Sequence, residues 1–513
     1  MSDRLELEGA AVRKAAARKD RVGKVEQYGA EYIPEDERHS APKNLVTVLL
    51  GGSLTFSIII IGWFPISFGL SWWQAASSVV VGSTFGAALL APMGLMGPRS
   101  GTNNPVASGA FFGVAGRIIG SVLGGTAALA FAALSIWTGG DALAGALVRF
   151  FDLESTTGPR LIAYAVLSVI VTVISVYGHA TMVAAQRLMI PTAGLCVLVG
   201  IVVYAPDFDA GYAGTGEYAL GSVGATWMLS ALICGSTVVS YGAFAGDWTR
   251  HISSKLHGDG SILRAMFIGG LFGMGGPFMW GTFTSAAIFA GGYASAETPY
   301  VLGLVDAAPL WFVPALVYMG LASGTAQAVI NTYGTGLDTS AMIPKLSRVQ
   351  ATLVACSLAT VLVYVGHFYS SIAVGVGVFV AVLACVTVPW IVMIAMGHWR
   401  RRGYYDVDDL QVFNRGLKGG VYWFWHGFNR PAIAVWSLSI AVALLFSSNS
   451  WFMGPGAALF GGADIGFLVG GVVAAVLYPL TLRFFPEPRE VYRSEGVPAV
   501  RSGSPEDDAA VTA

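Results

Sequence analysis

Two amide side chains, Gln327 and Asn331, lie four residues apart in a long apolar stretch of the chain. Residues at this spacing share one face of an α-helix. An amide in an apolar environment is unfavourable unless it has hydrogen-bonding partners, so each of the two needs at least one. The pair could recognise the donors and acceptors of a bound molecule, or it could join this helix to a neighbour, and we favour recognition.

Other polar and aromatic residues also lie within apolar stretches. Phe131 and Ser135 are one helical turn apart, and Ser240, Tyr241 and Gly242 end a run of small residues. A binding role for Phe131 competes with a simpler one, in which the ring faces lipid or the protein core. Together these residue types suit binding by shape and hydrogen bonds.

The same stretches offer little for catalysis. An enzyme site in a membrane would need His, Asp or Glu clustered on facing helices, and the apolar stretches hold almost none of these residues. The four cysteines lie far apart, without metal-ligand spacing, at Cys196, Cys234, Cys356 and Cys385. No Gly-x-x-x-x-Gly-Lys-Ser/Thr sequence for nucleotide phosphates occurs. The sequence therefore predicts neither an enzyme nor an ATP-driven pump.

The elements that must position these side chains are apolar segments long enough to cross a bilayer. Hydrophobic residues make up 55% of the 513 residues and charged residues only 12%, about half the charged fraction of a soluble protein. A helix of about 20 apolar residues spans the hydrocarbon core. We predict an all-α polytopic membrane protein. Its twelve predicted spans are 45–70, 73–96, 117–148, 160–178, 188–206, 222–245, 262–293, 304–334, 347–365, 369–396, 431–447 and 456–482.

Basic residues are distributed unevenly among the connections. They are concentrated in the N-terminal tail, 1–44, in the loop 397–430, and in other connections on the same side of a twelve-span topology. Only Arg149 and Arg160 fall on the opposite side. Because basic loops stay in the cytoplasm, we predict a plasma (inner) membrane protein with both termini cytoplasmic. The C-terminal tail, 483–513, is rich in Pro, Gly, Ser and acids, which predicts disorder.

The spans form two blocks of five, 45–206 and 222–396, followed by a final pair at 431–482. Each block opens with a span whose centre is weak, at 51–57 and 235–242, where Gly, Ser and Thr lower the cost of unwinding. Paired interruptions at corresponding places indicate the binding site of a transporter. Because five is odd, the second block would be inverted relative to the first. The alternative is that the glycines only allow close helix packing.

Several short motifs occur in a characteristic order. The connection between the second and third spans reads GPRSGTNNP, followed by FFG and GR; the later motifs are IWTGGD (136–141), GDWTR (246–250), YGTGL (333–337) and RRGYYD (401–406). In this order and spacing they resemble the nucleobase:cation symporter family, which includes cytosine, purine, uracil, thiamine and allantoin permeases. The resemblance covers roughly residues 30–485.

The resemblance implies the leucine-transporter-type fold, with two inverted five-helix repeats and two C-terminal helices. It also implies alternating access, with substrate bound between the first, third, sixth and eighth helices. A flat heterocycle there needs an aromatic face and a few directed hydrogen bonds. The matching positions are Phe131 and Ser135 on the third helix, Ser240, Tyr241 and Gly242 on the sixth, and Gln327 and Asn331 on the eighth. Val238 is the alternative to Tyr241 as the second aromatic position.

A cation site is implied as well, formed by carbonyls at the break in the first helix and hydroxyls of the eighth. The matching residues are Gly52, Ser53 and Phe56 for the carbonyls and Thr325 for a hydroxyl. Several sodium-dependent relatives have a second hydroxyl where this chain has Gly324, so sodium and proton coupling both stay open.

A proton route would use an acid within the membrane. Asp141 and Asp247 are available, but both are expected near helix ends, where a cap or gate role competes. Pairing of Arg250 with Asp247 as an inner gate is a further hypothesis.

The sequence thus favours a secondary active transporter that imports a nucleobase or related small N-heterocycle together with a cation. Its expected partners are that small molecule and the lipid bilayer, with no nucleic acid and no cofactor besides the coupling sodium or proton. One alternative keeps the fold but changes the substrate to allantoin or a hydantoin, a vitamin or an amino acid. A membrane sensor or a channel is the alternative from another class. The sequence gives no indication of an oligomeric state.

Overall fold

The computed structural model describes residues 32–492, apart from 155, 178, 295–297, 343–345, 370–371 and 450. It also leaves out the side chains at 177, 179–190, 337–338, 340–341, 348, 369 and 372–374. Most of both predicted tails, 1–31 and 493–513, therefore lies outside the described residues. Within them the chain is helical, apart from its connections and three isolated β-bridges.

The helices, in chain order, have the following bounds. The α-helices are α1 (Lys43–Ser53), α2 (Phe56–Ile59), α3 (Phe64–Ser67), α4 (Trp72–Leu90), α5 (Met96–Ser100), α6 (Asn104–Phe112), α7 (Ile118–Phe151), α8 (Thr157–Tyr177), α9 (His179–Tyr204), α10 (Val223–Ser240), α11 (Ala245–Thr249), α12 (Asp259–Ile268), α13 (Gly275–Ala290), α14 (Tyr300–Ala307), α15 (Val313–Tyr318), α16 (Gly324–Met342), α17 (Arg348–Tyr369), α18 (Ile372–Arg400), α19 (Val407–Leu410), α20 (Arg430–Leu445), α21 (Pro455–Ala458) and α22 (Gly466–Phe484). Short 3₁₀ segments lie at Glu35–Glu37, Ile60–Gly62, Ala91–Leu95, Ala205–Asp207, Tyr241–Ala243 and Arg489–Tyr492, and π-helical segments at Gly269–Met274 and Met319–Ser323.

In the described part of the chain, nine helical stretches are long and apolar enough to cross a bilayer. A tenth is obtained if the bent pair Lys43–Ser53 and Phe56–Gly62 is taken as one span. Two shorter apolar helices, Pro191–Asp207 and Arg430–Leu445, lie where the fifth and eleventh spans were predicted. The prediction of an all-helical, multi-pass chain is therefore confirmed, and the count of twelve crossings stays a prediction.

The first span is interrupted where its weak centre was predicted. Helix α1 ends at Ser53, and the axis turns by 88° before the chain continues from Phe56 to Gly62. Between the two helices, Thr55 has an extended backbone with φ −136° and ψ 153°. The interruption therefore exposes backbone groups at the middle of the span, where hydrocarbon offers no hydrogen-bonding partners.

The sixth span departs from α-helix only at the end of its predicted weak centre, 235–242. Helix α10 runs unbroken through Gly235 to Ser240, and a 3₁₀ turn follows at Tyr241–Ala243. Gly235 instead serves close packing, because its carbonyl lies against Gly86 of α4 so tightly that a Cβ at residue 86 would collide with it. Close packing and unwinding, which were alternatives for this run, thus occur at different residues within it.

The predicted eighth and twelfth spans are shorter than expected. Residues 304–334 do not form one helix, because α14 ends at Ala307 and α15 begins at Val313. Pro309 explains this break, since it disfavours helical backbone at the preceding residue, and Ala308 is extended at φ −70° and ψ 143°. The twelfth helix begins at Gly466 rather than 456, after Gly461 and Gly462 with φ of 67° and 81°.

A buried ion pair joins α7 to α8. Asp141, only 2% exposed, accepts hydrogen bonds from the Arg160 guanidinium at 2.8 Å and from the Tyr164 hydroxyl at 2.6 Å. The expectation that Asp141 lies near a helix end is wrong, since α7 continues to Phe151. Arg160 was predicted on the side of the membrane that has few basic residues. The requirement to neutralise the buried carboxylate of Asp141 explains why a basic residue occurs there.

Replacing Gly281 tests the contact between α2 of the first span and α13 of the seventh span. Gly281 of α13 lies so close to the carbonyl of Ile59 that a Cβ would overlap it, whereas Gly276 of the same helix has open space around it. We expect Gly281→Ala to destabilise the fold by about 1–3 kcal/mol through overpacking, and Gly276→Ala to be neutral. The measurement is the thermal midpoint of the purified protein in detergent, and equal midpoints for both variants would contradict this contact.

Breaking the α7–α8 ion pair tests whether it holds these helices together. We expect Asp141→Asn to cost about 3–5 kcal/mol, because Arg160 is left buried and unpaired. The control is Asp408→Asn, which breaks the exposed pair between Asp408 and Arg415, with side chains 73% and 52% exposed. The thermal midpoint should fall for the first variant only, and a similar fall for both would argue against a specific role of the buried pair.

Candidate functional site

Three hydroxyls meet at the break in the first span. Thr55 and Ser57 lie with their hydroxyl oxygens 2.5 Å apart, and the Ser57 hydroxyl is 2.8 Å from that of Ser135 on α7. The Ser135 hydroxyl also lies 2.8 Å from the carbonyl of Phe131, and all three side chains are at most 2% exposed. The predicted residue Ser135 is thus held against the break by Thr55 and Ser57, which the sequence reasoning did not single out although both lie within the predicted weak centre.

Aromatic rings meet between α7 and the 3₁₀ turn that follows α10. The ring centroids of Phe131 and Tyr241 are 6.2 Å apart, with planes at 59°. Tyr241 also contacts Trp248 and Phe244, at 6.1 and 6.0 Å between centroids. Val238, the alternative to Tyr241, instead lies beside Gly86 of α4 and Gly270. Tyr241 is therefore the residue of the sixth helix whose ring faces Phe131.

Gln327 connects three elements around these rings. Its amide nitrogen donates a hydrogen bond to the Tyr241 hydroxyl at 3.1 Å, and the side chain is 4% exposed. A Cβ at Gly52, near the end of α1, would lie 3.7 Å from the Gln327 amide oxygen. Gln327 of α16 thus lies beside α1 and the 3₁₀ turn that follows α10, and its role in substrate recognition stays a prediction.

Asn331 lies one turn further along α16 and is 7% exposed. Its amide nitrogen is buried and has no hydrogen-bond partner among the residues that the structure describes. A buried donor without a partner costs about 1–3 kcal/mol. The side chain therefore offers two N–H donors to a carbonyl or ring nitrogen that would enter from outside the protein.

The two other predicted residues of the sixth helix are occupied by protein groups. The Ser240 hydroxyl donates to the carbonyl of Thr237 in its own helix at 2.8 Å. The carbonyl of Gly242 accepts a hydrogen bond from Asn104 at 2.6 Å, and a Cβ at Gly242 would lie 2.8 Å from a methyl group of Ile391. Of the three residues at this turn, only Tyr241 has a side chain beside Phe131 and Gln327.

The predicted cation ligands lie at two irregular stretches of backbone. Ser53 and Phe56 are buried on either side of the first break, with the half-buried Gly52 before them. Thr325, 7% exposed, follows the π-helical segment Met319–Ser323. Among the described residues, no three His, Cys, Asp or Glu side chains are grouped as metal ligands. Hydroxyl and carbonyl oxygens are hard ligands that suit sodium.

A buried hydroxyl near Thr325 supports this donor set. Within the described part of the chain, the buried Ser323 hydroxyl has no hydrogen-bond partner. Gly324 packs on α7, where its Cβ position lies 3.4 Å from the carbonyl of Ser135. The orphaned Ser323 oxygen is thus a second candidate hydroxyl in a chain that has glycine at 324.

The predicted gate residues lie just beyond the sixth helix. Asp247 on α11 has a side-chain hydrogen bond with Asn103, from the connection between the second and third spans. Burial raises the pKa of the Asp247 carboxyl, and the attraction of Arg250 and the Asn103 hydrogen bond oppose that rise. Asp247 is therefore held to this connection as well as drawn to Arg250, and its gating role stays a prediction.

Comparison with known proteins matches residues 32–470 to a family described as permeases for cytosine/purines, uracil, thiamine and allantoin. A protein of Bacillus subtilis (strain 168), named "Putative purine-cytosine permease YxlA", is 24% identical over 475 residues, which cover 90% of this chain and 96% of that protein.

Solved structures share the fold at low identity. Mhp1, described as a nucleobase-cation-symport-1 family transporter, matches in a closed form with bromovinylhydantoin bound at TM-score 0.68 and in an inward-facing form at 0.70, each at 16% identity. These matches cover 93% of this chain and 98% and 100% of Mhp1. A Na⁺-coupled sialic acid symporter matches at TM-score 0.53 and 10% identity, over 88% of this chain and 92% of that chain. The members of the matched family are permeases rather than enzymes. Because the family model covers most of the sequence, this chain belongs to the family of permeases for cytosine/purines, uracil, thiamine and allantoin.

Proposed function

We propose that this protein imports a nucleobase or a related small N-heterocycle, coupled to a cation, by alternating access. The observation that carries the proposal is a group of four side chains beside the break in the first span and the turn after α10: Phe131, Tyr241, Gln327 and Asn331. The amide nitrogen of Asn331 has no partner in the described part of the protein. Two aromatic rings provide a surface for a flat ring, and the two amides provide donors and acceptors for its edge.

The absence of charge on these side chains favours a neutral heterocycle over an amino acid. Phe131, Ser135, Tyr241, Gln327 and Asn331 are all uncharged and buried. An ammonium or carboxylate group that leaves water needs a partner of opposite charge or several strong hydrogen bonds. A nucleobase presents only N–H groups, ring nitrogens and carbonyls, which two amides and a phenol can match.

Hydantoins belong among the compounds to test. The hydantoin ring alternates N–H and carbonyl groups as a pyrimidine does, and Mhp1, which shares the fold, was solved with bromovinylhydantoin bound. Allantoin carries the same ring. The residues described here suit both classes, so the discrimination between them is a matter for uptake measurements.

The topology is part of the proposal. We propose twelve crossings, with inverted repeats at 45–206 and 222–396 and both termini in the cytoplasm of a plasma (inner) membrane protein. The break at Thr55 and the turn at Tyr241–Ala243 lie in the opening helix of each repeat, as alternating access around a central site requires. Arg149, on the predicted outer side, donates to the carbonyls of Val305 and Ala308, so it serves a structural contact there.

Removing either amide tests the substrate assignment. Uptake of a radiolabelled panel of nucleobases, hydantoin and allantoin into proteoliposomes should be saturable for at least one compound. We expect Gln327→Ala and Asn331→Ala to lower that uptake about tenfold or more through the loss of buried hydrogen bonds. Asn44→Ala, at an exposed asparagine on α1, is the control with unchanged uptake. Normal uptake by both site variants, at equal protein content, would exclude the assignment.

Replacing Thr325 tests the cation site. With sodium and proton gradients imposed separately, we expect Thr325→Val to raise the sodium concentration for half-maximal uptake about tenfold, because the hydroxyl ligand is lost. Thr325→Ser should keep the wild-type value. Thr84→Val, which removes an exposed hydroxyl from α4, is the matched control. Wild-type uptake that responds to protons and not to sodium would show that the sodium assignment is wrong.

A further inference from the structure

The connection between the second and third spans carries an asparagine whose role the proposed function leaves open. Asn104, at the start of α6, is 1% exposed. Its amide nitrogen donates to the carbonyl of Met93 at 3.0 Å and to the carbonyl of Gly242 at 2.6 Å. Both hydrogens of the amide are thus used, and they join two segments that are far apart in the sequence.

Both carbonyls belong to places where regular helix ends. Met93 lies in the 3₁₀ segment Ala91–Leu95 that follows α4, and Gly242 lies in the 3₁₀ turn that follows α10. Carbonyls at the end of an α-helix lack the N–H partner that the next turn would supply. The Asn104 amide donates to one carbonyl in each of these two segments from a single side chain.

The backbone around this contact is packed too closely for any Cβ. Gly246 of α11 lies so close to the backbone nitrogen and the side-chain oxygen of Asn104 that a methyl group there would overlap both. Gly97 of α5 has the same relation to Thr249 and to the backbone nitrogen of Arg250. The connection between the second and third spans therefore packs closely against the segment that follows α10. Asn104 contacts that segment at the turn that contains Tyr241.

We propose that Asn104 is a positioning residue for substrate binding. By holding the carbonyl of Gly242, it fixes the 3₁₀ turn and so keeps the ring of the preceding residue, Tyr241, beside Phe131 and Gln327. Within the turn, the Phe244 N–H donates to the carbonyl of Tyr241 at 3.0 Å, and the bond from Asn104 to the carbonyl of Gly242 adds a restraint from outside the turn. The inference rests on the proposed function in assigning Tyr241 to substrate contact.

A double-mutant cycle distinguishes positioning from general stabilisation. In equilibrium binding to the purified full-length protein, using the compound that gives the highest uptake, we expect Asn104→Leu to weaken binding about tenfold. The control Asn44→Leu, at an exposed asparagine, should bind as the wild type does. In a Tyr241→Ala background, Asn104→Leu should weaken binding no further, because its effect passes through the missing ring. Full additivity of the two losses would overturn the proposal.

A second measurement needs no substrate. With the four native cysteines replaced by alanine and Tyr241→Cys introduced, the rate of alkylation by a membrane-permeant maleimide reports how well this turn is fixed. We expect Asn104→Leu to raise the rate several-fold, and an unchanged rate would overturn the proposal. If Asn104→Leu fails to fold, Asn104→Asp, which keeps the shape and loses the donors, takes its place with the same expectation. A raised rate, together with a wild-type protein that binds no compound of the panel, would contradict the proposed function and leave the positioning role standing.

Discussion

Every backbone N–H and C=O group within the hydrocarbon region must find its partner inside the protein. A continuous helix meets this requirement by itself, and an interrupted one meets it only with help from other elements. At the turn after α10, such help comes from Asn104, whose amide donates a hydrogen bond to the carbonyl of Gly242. At the first break, a chain of three hydroxyls, those of Thr55, Ser57 and Ser135, joins the interrupted span to α7. The interruptions and the polar groups around them therefore form one system.

The same constraint separates the two kinds of polar residue in the membrane region. The charged groups Asp141 and Arg160 are paired with each other and with a tyrosine hydroxyl, so their charge is neutralised locally. The residues around the breaks are neutral amides, hydroxyls and rings. Neutral groups can exchange one hydrogen-bond partner for another at low cost, whereas a buried ion pair cannot be opened without leaving a charge unpaired. The proposed site, which must bind and release its ligand, accordingly consists of the neutral residues Gln327, Asn331 and Tyr241 rather than of ions.

Sequence patterns predicted what depends on residues close in the chain. Apolar length predicted the helices, and spacing of four residues placed Gln327 beside Asn331 on one face of α16. Contacts between distant segments could not be obtained in this way: Asn104 was part of a recognised motif, yet its bond to Gly242 depends on how α6 packs against the end of α10. The break in the sixth helix was placed too broadly for the same reason, because only packing shows that Gly235 serves contact with α4. Pro309 within an apolar run is a local signal that should have divided the predicted eighth span.

Irregular backbone occurs on helices that carry candidate ligands and on a helix that packs against one of them. The π-helical segment Met319–Ser323 immediately precedes Gly324, and its wider turn changes the direction in which all later residues of α16 point, including Gln327. The second π-helical segment, Gly269–Met274, packs against α1, since a Cβ at Gly273 would lie 2.9 Å from the backbone nitrogen of Leu50. Such segments are rare and frequently occur at functional sites because they cost stability. The direction of the candidate residues on α16 and the packing against the interrupted first span thus both depend on departures from regular helix. In contrast, α8, which supplies Arg160 and Tyr164, is a regular α-helix.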